Sequence, residues 1–149
     1  MHKIALSLLA GCGLFQVGLG MYFIALRPTM LPEDEKFTGL SLEALTRISP
    51  AVPVWLDRVF MVLGGHAVAA GLLVMLTSIL LWNRTVSLTV AAFIIAAGSA
   101  SAVLMSAMNF AIHSDFRWLL LLPAVVWTGA ALLLAKEWIG GRHRHGEER

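Results

Sequence analysis

Residues 59–82 read VFMVLGGHAVAAGLLVMLTSILLW, 24 residues without an Asp, Glu, Lys or Arg. An α-helix rises about 1.5 Å per residue, so about 20 apolar residues cross a hydrocarbon core of about 30 Å. This stretch is therefore long enough to cross a membrane as a single helix. Pro53, just upstream, suits the first turn of such a helix because that turn does not need the missing N–H. We predict a membrane span over residues 53–82.

Three further apolar segments have the same character, and the four predicted spans cover residues 4–26, 53–82, 85–112 and 116–138. Of the 149 residues, 58% are hydrophobic and only 13% are charged, and the mean hydropathy is +0.80. A soluble domain of this size could not hide so much apolar surface. The sequence predicts an all-α fold, an integral membrane four-helix bundle. Residues 1–149 form its single domain, and the lipid bilayer is its partner.

The tryptophans support the limits of these spans, because the indole ring prefers the membrane–water interface. Trp127 alone lies inside a span, whereas four of the five tryptophans lie at predicted span ends: Trp55, Trp82, Trp118 and Trp138.

The positive charges predict the orientation. Five Lys and Arg residues lie on the side of the long first connection, four of them mixed with acidic residues in or just after that connection. Six lie in the shorter flanks on the side of both termini: Lys3, Arg84, Lys136, Arg142, Arg144 and Arg149. The positive-inside rule then favours cytoplasmic N- and C-termini, with residues 139–149 as a flexible basic tail. The net charge of +2 forms no basic stripe, so no nucleic-acid partner is predicted.

The connection at residues 27–52 is the only long one, and we call the end of the spans that it joins the loop side. Ser41 is a predicted helix N-cap, followed by an apolar stripe of Leu42, Leu45 and Ile48 before Pro50. We predict a short amphipathic helix that lies on the membrane surface or caps the bundle, with an ordinary connector as the alternative. The acidic run at residues 33–35 is interpreted as solvated.

Small residues allow helices to approach closely in lipid. The first span has glycines seven residues apart, among them Gly13 and Gly20. The third span is richest in small residues, with one row at residues 92, 96 and 100 and another at residues 98, 102 and 106. This composition predicts that the third span forms the centre of the bundle.

Polar groups inside a membrane are costly and usually face the protein interior. Five of them form a candidate pocket in the loop-side half: Gln16, His66, Ser106, Asn109 and His113. In a functional interpretation His66 and Asn109 handle a proton or orient a ligand, with His113 at the mouth. In the alternative, which we favour, these groups only form interhelical hydrogen bonds that fix the register of the helices.

Other chemistry has weaker support in the sequence. No Asp or Glu lies deep in a span, which argues against an ion-coupled transporter. His66 lies deeper than His113, so the two do not match as axial ligands of one haem. The single cysteine, Cys12, excludes an intramolecular disulfide and a multi-cysteine metal site. It ends a possible bacterial lipobox at residues 9–12, but the apolar run continues to Leu26, so we favour a buried Cys12. We predict no catalytic residue and no metal site.

The layout resembles the DoxX-like small bacterial membrane proteins with four spans. The resemblance covers about residues 15–105, and it is carried by Phe37-Thr38-Gly39-Leu40 and by Gly64-Gly65-His66-Ala67-Val68-Ala69-Ala70-Gly71-Leu72-Leu73. It implies the bacterial cytoplasmic (inner) membrane as the location. It also implies a link, in some members, to quinone-dependent sulfur oxidation.

Three functions remain open at this point. We favour a small membrane protein without enzymatic activity, an accessory subunit of a larger membrane complex or homo-oligomer, with no cofactor. One alternative is a redox-linked component that binds quinone or haem in the loop-side pocket. The other is an oligomeric permease or channel for small molecules.

Overall fold

The computed structural model describes the backbone of residues 1–146 and the side chains of residues 1–137, and this part of the chain is helical without a strand. Two short helices, α2 (Pro32–Thr38) and α3 (Leu42–Ile48), lie in the first connection. The long helices are α1 (His2–Ala25), α4 (Ala51–Leu80) and α7 (Arg117–Gly146). The third span consists of α5 (Leu88–Gly98), a π-helical segment (Ser99–Val103) and α6 (Leu104–Ala111). Four stretches are long and apolar enough to cross a membrane.

The helices agree with the predicted spans to within a few residues at most ends. The last one differs, because α7 continues to Gly146 beyond the predicted limit at residue 138. The side chains of residues 138–146, and residues 147–149 altogether, lie outside the described part of the chain. The flexible basic tail at residues 139–149 therefore stays a prediction.

Glycines bring α1 and α4 into backbone contact at two crossings. A Cβ on Gly20 would lie 2.5 Å from the carbonyl oxygen of Gly64, and one on Gly71 would lie 2.5 Å from that of Gly13. Gly13 and Gly20 in α1 are seven residues apart, and so are Gly64 and Gly71 in α4. Each of these pairs therefore lies on one face of its own helix. A Cβ on Gly65, by contrast, would have no atom within 4 Å, so this glycine faces away from α1.

The centre of the fold is formed by α1 and α7. α1 packs against α4 and α7, and α7 packs in turn against α5, the π-helical segment and α6. The buried share of the spanning stretch is 39% in α1 and in α7, 22% in the third span and 11% in α4. The prediction of a central third span is wrong, because only its row at residues 98, 102 and 106 is buried; the row at 92, 96 and 100 is exposed.

The π-helical segment sits where the third span meets Trp127. The Trp127 indole Nε1 donates a hydrogen bond of 3.0 Å to the carbonyl oxygen of Ile94, and the ring covers Gly98 so closely that a Cβ there would lie 1.8 Å from Nε1. A π-helical turn holds one residue more than an α-helical turn, which rotates the side-chain rows beyond it. Ser99 is consequently exposed, whereas Ser106 is buried on the side of α7.

At the end opposite the loop side, His2 ties the start of α1 to α7 and to the end of α4. Its ring nitrogens lie 2.9 Å from the Glu137 carboxylate and 3.0 Å from the carbonyl oxygen of Leu81. The Lys3 ammonium lies 5.8 Å from the centre of the Trp82 ring. These contacts hold the start of α1, the end of α4 and Glu137 of α7 together near the turn at residues 81–87, and we call this end the turn side.

Candidate functional site

A buried arginine lies where α1 ends on the loop side. The Arg27 side chain is only 5% exposed, and its Nη2 donates a hydrogen bond of 2.7 Å to the Asp34 carboxylate. Nη1 donates to the carbonyl oxygens of Pro28 and Thr29, and the guanidinium carbon lies 3.5 Å from the centre of the Phe60 ring. The Nε atom is buried without a hydrogen-bond partner. The guanidinium has five N–H groups and makes three hydrogen bonds, so at least two N–H groups, the Nε–H among them, lack an acceptor within the described part of the chain.

The Asp34 carboxylate fixes the start of α2 as well as Arg27. Its Oδ2 also accepts a hydrogen bond of 2.9 Å from the backbone N–H of Leu31, the residue that precedes the helix. Pro32 follows at the first position of α2, where its fixed φ is already helical. This local geometry explains why α2 starts here and why Asp34 points back toward the end of α1.

Glu33 joins α2 to the turn between α6 and α7. It is 8% exposed, and its carboxylate accepts hydrogen bonds from the Ser114 hydroxyl at 2.9 Å and from the backbone N–H of Asp115 at 3.1 Å. Ser114 is fully buried. Two donors satisfy the buried carboxylate, which would otherwise be costly to desolvate. α2 is therefore fastened across the loop side between α1 and α7.

Beneath α2 lies a cavity of about 680 Å³, which we call the loop-side cavity. Its polar rim contains Arg27, Glu33 and Asp34, and Asn109 lies deeper on α6. The rest of the wall is apolar and rich in aromatic rings: Phe15, Tyr22, Phe23, Phe60 and Phe116. Leu63 and Leu119 on the wall are each more than half exposed, so the cavity opens sideways, where lipid would lie.

A second cavity, of about 360 Å³, lies toward the turn side and is called the turn-side cavity here. It is bounded by α1, α4, α5 and α7, and Trp127 and Gln16 contribute to its wall. Gln16 is 7% exposed, and its Oε1 is buried without a hydrogen-bond partner. Each cavity is therefore lined by a residue with a buried polar atom that has no hydrogen-bond partner in the described part of the protein.

The structure does not bring the five predicted pocket residues together. Gln16 lines the turn-side cavity and Asn109 lines the loop-side cavity, while His66, Ser106 and His113 line neither of these two. His66 is exposed, with Nδ1 2.8 Å from the carbonyl oxygen of Val62 on its own helix. Asn109 likewise donates to the carbonyl oxygen of Met105, one turn back.

The remaining two candidates also lie apart from each other. Ser106 is 4% exposed in the row that faces α7, whereas His113 is exposed in the turn after α6, with a left-handed φ of 54°. The π-helical segment rotates the side chains that follow it in the third span, and His66 lies on the outward face of α4. Residues that a count along straight helices placed at one depth are therefore separated.

The residues at the loop side were missed because the acidic run was interpreted as solvated. A usable signal was present, since Asp34 follows Arg27 by seven residues and Pro32 marks a helix start between them. An arginine at the end of a span, followed closely by carboxylates, indicates an ion pair at the membrane boundary. Nothing in the sequence pointed to Ser114 as the partner of Glu33.

Among the described residues, no group of three or more His, Cys, Asp or Glu side chains is placed to hold a metal ion. Comparisons with protein-family models, curated proteins and solved structures find no match for this chain. The geometry of the two cavities is therefore the basis for any functional conclusion.

Proposed function

We propose that this chain is a multi-pass membrane protein that binds a membrane-soluble ligand in the loop-side cavity and acts as a non-enzymatic, accessory subunit of a membrane complex. The observation that carries the proposal is Arg27, a buried arginine that lines an apolar cavity and keeps guanidinium N–H groups without an acceptor among the described residues. A buried donor without an acceptor is costly, and a bound ligand with an acceptor would remove that cost.

The charges of the rim indicate which acceptor fits. Arg27 contributes one positive charge and Glu33 and Asp34 one negative charge each, so the formal sum is 1 − 2 = −1. An anionic group such as a phosphate would meet two carboxylates there, and like charges repel. A neutral oxygen acceptor avoids this repulsion. The ligand is therefore a neutral molecule with a carbonyl or similar oxygen at one end and a hydrophobic body.

A quinone is the ligand class that these features favour. The quinone ring is flat and carries carbonyl oxygens, and five aromatic side chains line the cavity. Aromatic rings pair with each other in stacked or edge-to-face geometry, as Phe23 and Phe60 already do with centroids 6.1 Å apart. The hydrophobic tail of a quinone would leave through the side where Leu63 and Leu119 are exposed.

The test is isothermal titration calorimetry, in which the purified protein in detergent is titrated with decyl-benzoquinone. Arg27→Met should weaken binding about tenfold or more, because hydrogen bonds to charged groups contribute about 1.5–3 kcal/mol. Arg47→Met is the matched control, since Arg47 is an exposed residue of α3 that pairs with Glu43 and lines neither cavity. Size-exclusion profiles and thermal melts show whether each variant folds, and Arg27→Lys serves as a milder variant that keeps the charge.

Two results would overturn the proposal. If the wild-type protein binds no decyl-benzoquinone, the ligand class is wrong. If binding is equal in the wild-type protein, Arg27→Met and Arg27→Lys, the cavity is not the site. Haem has no comparable observation in its favour, because His66 and His113 are exposed and line neither cavity.

The placement in the membrane is also a proposal. We place the four spans as a bundle in the bacterial cytoplasmic membrane with both termini cytoplasmic, supported by the basic flanks and by Lys3 next to Trp82. α3 would lie at the membrane surface, since Leu42 and Ile48 are exposed while α3 contacts α4. The resemblance to the DoxX-like proteins would agree with a quinone-linked role.

A further inference from the structure

The turn-side cavity lies between two helices that follow each other in the chain but have their main contacts elsewhere. α4 and α5 are joined by the turn at residues 81–87, yet α4 packs mainly against α1 and α5 mainly against α7. Residues between 70 and 81 line one wall of the cavity, residues between 90 and 101 line the opposite wall, and α1 contributes Leu6 and Leu9. The two helices therefore leave a gap between them that the turn closes at one end.

The walls of this cavity suit hydrocarbon. Leu73 and Phe93, on opposite walls, are both more than 60% exposed, so the cavity opens sideways, where lipid would lie. No Asp, Glu, Lys or Arg belongs to its lining. The hydroxyls of Thr77, Ser78 and Ser101 each donate to a carbonyl oxygen one turn back on their own helix, so they need no partner from a ligand.

Gln16 lies farther along α1 from the turn than Leu6 and Leu9, and its Oε1 is enclosed by the protein. The part of the cavity nearest the turn is therefore bounded by apolar side chains and by hydroxyls that are already bonded.

Two cations flank the end of the cavity at the turn. Lys3 precedes the lining residue Leu6 by three positions, so both lie on one face of α1, and its ammonium is 5.8 Å from the centre of the Trp82 ring. Arg84 is exposed, and its backbone N–H donates a hydrogen bond of 3.0 Å to the carbonyl oxygen of Leu81, which lines the cavity. Both positive charges thus lie close to the entrance from the membrane surface.

Little negative charge opposes these two cations. Residues 1–25 and 81–111 contain no Asp or Glu. Glu137, on α7, already lies 2.9 Å from the His2 ring. The turn end therefore favours an anion, whereas the rim of the loop-side cavity has a formal sum of −1 and favours a neutral group.

We propose that the turn-side cavity binds one acyl chain of an anionic phospholipid, whose phosphate is held by Lys3 and Arg84. Each basic group near a membrane surface contributes about a fivefold preference for anionic lipid. Trp82, beside Lys3, suits the level of the lipid headgroups. The site rests on the proposed membrane placement but not on the quinone, because the two cavities have no lining residue in common.

The experiment follows the fluorescence of Trp127, which lines the cavity but is only 3% exposed. The protein is reconstituted in phosphatidylcholine vesicles that contain a rising mole fraction of phosphatidylglycerol or phosphatidylcholine with brominated acyl chains. Bromine quenches tryptophan on contact, and the Trp127 signal is the part of the quenching that Trp127→Phe abolishes. Trp127→Tyr serves the same purpose if that variant does not fold.

The anionic lipid should quench Trp127 half-maximally at a mole fraction about 25-fold lower than the zwitterionic lipid, which corresponds to two basic groups. Arg84→Gln should reduce this preference to about fivefold, and Lys3→Gln repeats the measurement at the other cation. Arg58→Gln is the matched control, because Arg58 is an exposed arginine at the opposite end of α4 and should leave the preference unchanged. Equal quenching by the two lipids in the wild-type protein would overturn the anionic headgroup and, with it, the proposal.

A second pair of variants tests the path of the acyl chain. Ala97→Leu adds bulk on the cavity wall and should weaken the quenching of Trp127 by both lipids, with Ala97→Val as a smaller change if the first variant does not fold. Ala96→Leu is the control, since Ala96 is also exposed on α5 but lies outside the lining. Quenching that is unchanged in Ala97→Leu and in Ala97→Val would overturn the proposal, whereas the calorimetric test of the loop-side cavity would keep its own result.

Discussion

Gly20→Ala perturbs one of the two backbone crossings of α1 and α4, and the structure sets the size of the effect. The new Cβ would lie 2.5 Å from the backbone oxygen of Gly64, where ordinary contact begins at 3.4 Å. The shortfall is 3.4 − 2.5 = 0.9 Å, and the obstacle is backbone, which cannot move as a side chain does. α1 and α4 must separate, so we expect a loss of about 1–3 kcal/mol, the usual cost of overpacking.

The assay measures unfolding by sodium dodecyl sulfate in mixed micelles, with circular dichroism as the readout. Gly64→Ala, on the other side of the contact, should lose a similar amount, because its Cβ would lie 2.7 Å from the Gly20 oxygen. Gly65→Ala is the matched control, one residue along the same helix with nothing within 4 Å. It should be neutral or slightly stabilising, since alanine favours the helix over glycine by up to about 1 kcal/mol.

The comparison between the neighbours Gly64 and Gly65 separates packing from helix propensity, because both substitutions change the propensity equally. If the two variants unfold at the same detergent concentration, the close approach of α1 and α4 is wrong.

Two further substitutions test the helix contacts that shape the cavities. Gly98→Ala should destabilise the protein by about 3 kcal/mol in the same unfolding assay, since the new Cβ would lie within the Trp127 ring; an unchanged midpoint would contradict the packing of α7 on α5. Glu33→Ala should speed hydrogen exchange at the amide of Asp115 about tenfold or more, because that N–H donates to the Glu33 carboxylate. Glu43→Ala, in an exposed ion pair of α3, should leave the exchange at Asp115 unchanged.

The spans could be predicted from the sequence because hydrocarbon imposes a simple rule on length and polarity. The backbone must satisfy its own hydrogen bonds there, so each long apolar segment becomes a helix. The neighbours of each helix could not be predicted in the same way. Gly64 and Gly65 are adjacent and chemically identical, yet only Gly64 contacts α1. Which of them faces inward depends on the rotation of α4, and hydropathy does not specify that rotation.

The candidate site was predictable only in part. Gln16 and Asn109 were singled out as polar groups in the spans, and each lines a cavity. The prediction of one shared pocket assumed straight helices, and the π-helical segment at residues 99–103 changes the phase of the third span. Arg27 was overlooked because its burial depends on α2 folding back over it; the spacing of Arg27, Pro32 and Asp34 indicates an ion pair but not this tertiary arrangement.

The central claim is that the four long helices cross a bilayer, because only then do the cavities open toward lipid. Extraction of isolated membranes with alkaline carbonate tests this claim most directly. The protein should stay in the membrane pellet after this treatment and enter the supernatant only when detergent is added. Release into the supernatant by carbonate alone would contradict the four spans and, with them, the proposed binding site in the loop-side cavity.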